Sequence, residues 1–257
     1  MPAKRTTDLI DSIEKKKGLY IIKTKGWSAS ISQSFYAEEL LYVGKVLTNN
    51  DKIRLSHLEK ISLPMDYVHR LLARGLYSVH MMREKIALKF PECDDLNEII
   101  YRLKEEGLLD DKAFAEAYKE SKEAQLYGPN KIKDELRYTK GISQDIINEL
   151  RFADEEAQLE QLFPILDRRY QNQTLKSKQA KLTKLMIDRG YSKDLAYRFA
   201  LNSSVDPKAI KKRFEADLEK AKRIYGRKYE GYELKQRIIR SLLSKGYTMN
   251  MIQEALI

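Results

Sequence analysis

The chain has 257 residues and a formal charge of +10, from 48 Lys and Arg against 38 Asp and Glu, a balance that favours polyanionic partners or acidic protein surfaces. Its single cysteine, Cys93, excludes an internal disulfide, and the opening Met1 to Thr7 lacks the apolar stretch of a secretory signal, which together imply a reducing cytoplasm. No apolar run reaches the length of a membrane span, so the expectation is a soluble cytoplasmic chain long enough to bury its own core.

Residues Leu19 to Ser32 alternate as no other segment does. Tyr20, Ile22 and Thr24 share one parity, and the alternation continues through Trp27, Ala29 and Ile31 after Lys25-Gly26, which predicts two short strands joined by a glycine turn. A helix is expected from Gln33 to Leu41 and a polar turn at Thr48-Asn49-Asn50-Asp51. So small a unit is marginal alone and is expected to lean on the helices after it.

From Leu63 the period is helical. Leu96, Ile99, Ile100 and Leu103 form one stripe closed by Gly107; Asp110-Asp111 then opens a helix carrying Phe114, Ala117 and Tyr118. Tyr127-Gly128-Pro129 breaks the chain and restarts it, because proline has no amide to waste in a first helical turn, and Ile132 and Leu136 follow. Later stripes are Leu159, Leu162, Phe163 and Leu166; Leu182, Leu185 and Met186; Leu195 and Phe199. The last are Ile210, Phe214, Leu218, Ala221 and Tyr225; Ile238 and Leu242; Met251, Ile252 and Leu256.

A punctuation recurs among them: Lys140-Gly141-Ile142-Ser143, Arg189-Gly190-Tyr191-Ser192 and Lys245-Gly246-Tyr247-Thr248. Glycine ends a helix at positive φ, and the hydroxyl caps the next. The spacing of roughly 50 residues indicates stacked supersecondary units. The expected fold is mainly α: about four tandem three-helix repeats in an elongated, curved array, with a small strand-containing N-terminal unit. The boundaries are 1–62 for that α+β unit with its β-hairpin, 63–109 for a degraded first repeat, then 110–152, 153–203 and 204–257. In the first repeat Ser78 caps the middle helix, and Pro91 with Asp94-Asp95 replaces the missing glycine corner after Phe90.

No catalytic constellation emerges. His57, His69 and His80 have no metal-ligand spacing with Cys93 or with paired carboxylates, and the Gly226 to Gly231 segment lacks the ending of a phosphate-cradling loop. Glu105-Glu106 and Asp110-Asp111 lie at helix boundaries, where capping explains them. An enzyme is not expected, nor any cofactor or metal. The cations are uneven: Ser203 to Ile257 has 13 basic and 7 acidic residues, Asp110 to Leu150 has 7 and 9. Lys211, Lys212, Arg213, Lys220, Lys222, Arg223, Arg227 and Lys228 accompany Tyr225, Tyr229 and Tyr232, the pairing of charge and stackable rings that single-stranded nucleic-acid binders use. The opposing account is a core tyrosine with solvated lysines around it. Lys131, Lys133 and Arg137, with Tyr138 nearby, form a second such flank.

Gly107-Leu108-Leu109-Asp110-Asp111 running into Phe114, Tyr127-Gly128-Pro129 before a basic helix, and Lys140-Gly141-Ile142 resemble the RecX family of bacterial recombination regulators. Its members are built from tandem three-helix repeats, and the longer ones carry a strand-containing N-terminal segment. Here Asn130, Lys131 and Lys133 stand where arginine is commoner, and one residue more separates Leu136 from Gly141. The resemblance implies a protein that binds the RecA recombinase, lies along the groove of its filament on single-stranded DNA, and lowers ATP hydrolysis and strand exchange. The residues expected to meet RecA or DNA are Lys131, Lys133, Arg137, Lys211, Lys212, Arg213, Lys222, Arg223, Arg227 and Lys228. A monomer without membrane contact is expected. Two readings compete: a direct DNA-binding protein using its helix pairs as helix-turn-helix readers, and a general helical scaffold. After Gly141 the second helix offers Ile146, Ile147 and Leu150, which suit a core better than base edges.

Overall fold

A computed structural model describes residues 8–256; Met1 to Thr7, the stretch that lacks a signal's apolar run, lie outside the described residues. In chain order the elements are β1 (Asp8–Leu9), β2 (Ser12–Lys16), β3 (Leu19–Lys23), β4 (Ser28–Ser32), α1 (Gln33–Glu38), β5 (Val46–Leu47), α2 (Asn49–Leu72), α3 (Val79–Lys89) and α4 (Leu96–Glu105). Then come α5 (Asp111–Ala124), α6 (Pro129–Asp134), a π-helical turn (Glu135–Thr139), α7 (Gln144–Glu149), α8 (Glu155–Asp167), α9 (Leu175–Asp188), α10 (Lys193–Leu201), α11 (Pro207–Tyr225), α12 (Gly231–Ser244) and α13 (Met249–Ala255). Two compact units result: the chain up to Glu116 with Arg137–Asn148, and Ala117–Leu136 with the chain from Glu149 onward. Among the described residues no helix is long and apolar enough to cross a membrane.

In the first unit β2, β3 and β4 form an antiparallel sheet, and β1 pairs separately with β5. The expected strand pair is present. Its partner β2 has Ile13 as its single apolar residue, so it offers no alternation to read. Ile22, Ala29 and Ile31 are buried with Leu55, Leu58, Ile61, Met65 and Val68 of α2. The open edge of β4 is covered by side chains of α2: Ser30 N donates to Glu59 Oε1 at 2.8 Å and Ser32 N to Ser62 Oγ at 2.9 Å. These acceptors take donors that a further strand would otherwise pair.

Four expectations need correction here. Thr48–Asp51 is a capping box at the head of α2, so the helical period begins at Asn49 and not at Leu63. The 62/63 boundary therefore falls inside one continuous helix, whose buried stripe runs through Pro64 unbroken. The helix expected to Leu41 stops at Glu38, before Leu40 takes a left-handed φ of +47°. Asp95 stands at the N-cap of α4 but makes no side-chain capping bond. Ser78 does cap α3, accepting from Met81 N at 3.1 Å, and Asp111 adds a second cap to α3 by accepting from Val79 N at 2.8 Å. Asp110 caps α5 itself, taking the amides of Lys112 and Ala113.

The second unit holds α8 to α10 around Leu159, Leu162, Leu166, Leu182, Met186 and Tyr191, and α11 to α13 around Ile210, Phe214, Leu218, Ile238, Leu242 and Tyr247. Each triplet has its glycine corner between second and third helix, as expected.

The glycine corners also join one triplet to another. In the first unit Ser78 Oγ, at the head of α3, donates to the carbonyl of Lys140, just before Gly141, at 2.6 Å. In the second unit Gly128 N, at the head of α6, donates to Arg189 O at 2.8 Å, and Asn130 N to Gly190 O at 3.1 Å. Thr174 Oγ1, at the head of α9, donates to Lys245 O, just before Gly246, at 2.8 Å. The same contact thus recurs: the electropositive start of one middle helix meets carbonyls at the end of the next copy's middle helix. At Gly190 the approach is closest. Its φ is +97°, and a Cβ there would overlap Lys131 Cβ and its backbone nitrogen; a Cβ on Gly128 would in turn overlap the Gly190 carbonyl carbon.

Candidate partner-binding surface

Asp206 caps α11 by accepting from Lys208 N at 2.9 Å, and Pro207 fills the first turn. With Ile210, Phe214, Leu218 and Ala221 buried at helical spacing, the opposite face must carry the rest. There Lys211, Lys212, Lys220 and Arg223 are exposed, and Arg227 and Lys228 continue the series past the helix end. Among the described residues none of these six has an ion-pair partner.

Two expected contact residues are engaged within the molecule. Lys222 pairs with Glu219 at 3.1 Å. Arg213 Nη1 donates to Asn172 O at 3.0 Å, and its Nε lies 3.8 Å from Asp217 Oδ2. Asp217 is the centre of that cluster, accepting also from Lys245 Nζ at 2.6 Å and Tyr247 Oη at 2.7 Å. Lys245 and Tyr247 flank Gly246, so the cluster fixes the last corner to α11.

Burial opposes ionisation of Asp217, but the hydrogen bonds from Lys245 and Tyr247 and the charge of Arg213 outweigh it and hold the carboxyl below the usual aspartate range. Burial and the same hydrogen bond push the Tyr247 hydroxyl well above the usual tyrosine range. A folded-state pKa below the unfolded one stabilises the fold above the unfolded pKa of about 3.9, and that contribution disappears as pH falls through the folded value. Asp217→Asn is expected to lower stability at pH 7 and to flatten this acid-dependent part, read by urea unfolding at pH 7 and at pH 3.

Of the aromatic residues, Tyr225 is half-buried against the α11 to α13 core, which favours the core account for that ring. Tyr229 lies under Arg237, 4.7 Å from guanidinium to ring centroid. Tyr232 is 79% exposed.

The second flank is more heavily committed. Lys131 lies 3.7 Å from Glu135 Oε1, and Lys133 Nζ sits 4.9 Å from the Phe152 ring centroid. Glu135 also accepts from Tyr118 Oη at 2.5 Å and pairs with Lys122 at 2.9 Å. Burial works against its ionisation, and these two hydrogen bonds overcome it, leaving the carboxyl below the usual glutamate range. Arg137, in the first unit, donates to Gln144 Oε1 at 3.1 Å and lies 5.3 Å from the ring centroid of Tyr138, a residue that is 73% exposed. A π-helical turn spans Glu135–Thr139 just before the Gly141 corner.

Of the histidines, His57 Nε2 lies 2.5 Å from Glu98 Oε2 and His80 Nε2 lies 3.4 Å from Glu84. Among the described residues no group of three His, Cys, Asp or Glu side chains is placed to hold a metal ion. The surface is suited to many charge contacts with a polyanion or an acidic protein face.

A family model described as "RecX, second three-helix domain" matches residues 110–150, and "RecX, third three-helix domain" matches 213–256. "Regulatory protein RecX" of Streptococcus pyogenes serotype M5 (strain Manfredo) is 29% identical over 251 residues, covering 95% of this chain and 96% of that protein. Its namesake in Streptococcus agalactiae serotype Ia is 28% identical over 96% of this chain and 98% of its own. A solved structure titled "Crystal structure of regulatory protein RecX" superposes with a TM-score of 0.58 at 23% identity, over 76% of this chain and all of that one, which supports the fold.

Proposed function

We propose, given that this chain belongs to the RecX family of regulatory proteins, that it binds the RecA recombinase and its filament on single-stranded DNA and restrains ATP hydrolysis and strand exchange by occupying the filament groove. The observation that carries this is the row of exposed, unpaired cations on and beyond α11, within the copy matched by the third-domain model. Several modest contacts along successive copies sum to useful affinity once one is made. It acts without catalysis, as a cytoplasmic monomer, and Lys211, Lys212, Arg223, Arg227 and Lys228 are its foremost contacts. Lys131, Lys133, Arg137, Arg213 and Lys222, already engaged within the molecule, are secondary ones.

Adding the purified chain to RecA filaments on single-stranded DNA is expected to lower steady-state ATP hydrolysis in proportion to occupancy. Unchanged hydrolysis at several-fold excess over RecA would refute the reading. Steep salt-dependent binding to free DNA with no effect on RecA would favour the direct DNA-binding alternative.

A further inference from the structure

The N-terminal unit places large apolar side chains where a chain in water ordinarily carries polar ones. The segment between α1 and β5 is a short, fastened loop. Tyr36 Oη donates to Leu41 O at 3.1 Å while the Leu41 side chain is buried, and Lys45 Nζ donates to Glu39 O at 3.1 Å and to Leu40 O at 3.4 Å. Lys45 N donates to Tyr42 O at 3.1 Å, closing a tight turn whose third residue, Gly44, has a φ of +91°, as a type II turn requires. Gly44 N donates to Ile10 O at 2.9 Å and Lys45 O accepts from Ile10 N at 3.0 Å, a bulge that ties the turn to the end of β1.

Into solvent this loop presents Leu40, Tyr42 and Val43, which are 77%, 63% and 60% exposed. Turns favour Gly, Pro, Asn, Asp and Ser at such places. Leu40 also holds a left-handed φ of +47°, a conformation that costs a leucine energy and persists only where its surroundings impose it. Leu9 and Val46 form a cross-strand pair in the β1–β5 ribbon that the loop enters, and both are exposed, while Ile10 and Leu47 are buried in the core.

The charges beside these five side chains cancel within the molecule. Asp8 pairs with Lys52, and Arg54 with Glu39 at 2.5 Å and with Asp51 at 3.3 Å; Glu38 lies 3.9 Å from Arg102. Asp11, just past the ribbon, is exposed and acidic. A polyanion gains nothing from such a surface. An apolar cleft of a protein gains the burial, and a loop already fixed loses little freedom on seating. Five side chains fall well short of the about 20–30 residues a side of a stable complex, so the patch suits a partner that another surface already holds.

We propose that the 40–46 loop, with Leu9, is an apolar anchor that seats in a cleft of a RecA protomer and gives the filament contact a component that salt does not screen. This rests on the filament reading above: of the two components of that filament, the protein and not the DNA is the one that offers a cleft to a patch without cationic excess.

The full-length chain is mixed with RecA filaments on single-stranded DNA, the filaments are pelleted, and the bound chain is measured against its concentration at low and at physiological salt. Leu40→Asn removes the leucine and suits a left-handed φ, so melting is expected to stay at or above that of the parent. Filament affinity is expected to fall about tenfold, the worth of one buried aliphatic side chain, and by the same factor at both salt concentrations. Val43→Ser, at a position without a left-handed φ, is expected to weaken binding in the same salt-independent way, and it keeps the test decisive if Leu40→Asn disturbs folding. Undiminished affinity of the folded variants, or a defect that disappears as salt rises, would overturn the inference. So would variants that keep their filament affinity but lose a dimer seen by sedimentation without RecA, or lose binding to phosphatidylcholine vesicles, since the patch would then serve a second copy or a lipid surface. If the parent chain does not pellet with filaments, the filament reading falls and this inference with it; if parent and variants pellet equally, this inference falls alone.

Discussion

Replacing Gly190 by Ala is expected to destabilise the second unit by about 3 kcal/mol or more, since a left-handed φ costs a side chain roughly 1–3 kcal/mol and overpacking adds about as much. The clash is with backbone, Lys131 N and the Gly128 carbonyl, so no rotamer change relieves it. In thermal unfolding followed by circular dichroism this corresponds to a fall of roughly 6–12 °C in Tm. Gly75 provides the contrast: a Cβ there meets nothing within 4 Å and its φ is ordinary. Gly75→Ala is expected to leave Tm unchanged or slightly raised, because alanine only narrows the unfolded ensemble. Equal effects of the two substitutions would show that the joint at Gly190 is not what fastens these helices.

Reversing the charge of Lys211, Lys212 and Arg223 together is expected to weaken RecA regulation about tenfold at low salt, while melting stays that of the parent. Each is exposed and unpaired, and about 0.5 kcal/mol per screened contact sums to that factor. Raising ionic strength is expected to shrink the difference, since the Debye length falls to about 8 Å at physiological salt. Arg213→Glu is expected to behave otherwise. It places a carboxylate beside Asp217 and removes the bond to Asn172, so its primary effect is on stability. Regulation that survives the triple reversal across a salt series would remove α11 from the binding surface.

The contrast between Arg213 and its neighbours marks where sequence reading stops. Stripes, caps and corners are local, so Ile210 to Ala221, Ser78 and Gly190 were all legible from spacing alone. Whether a cation faces solvent or a carboxylate many residues away is decided by packing, and Arg213 looks like Lys212 until Asn172 and Asp217 are placed. Asp111 shows the same limit, for its side chain serves α3 as well as the dipole of its own helix. The early start of α2 was hidden by Pro64, and β2 by its run of polar residues. Lys245 and Tyr247 stand out beside Gly246, yet nothing local to them announces Asp217.

The joints described above rely largely on amide and carbonyl groups, with a hydroxyl at two of them and a hydrogen atom where a side chain would stand. Outward-facing side chains carry little of that fastening. They can be exchanged with little cost to the register of neighbouring copies, so affinity for a partner can drift or be redesigned residue by residue on a scaffold that does not notice.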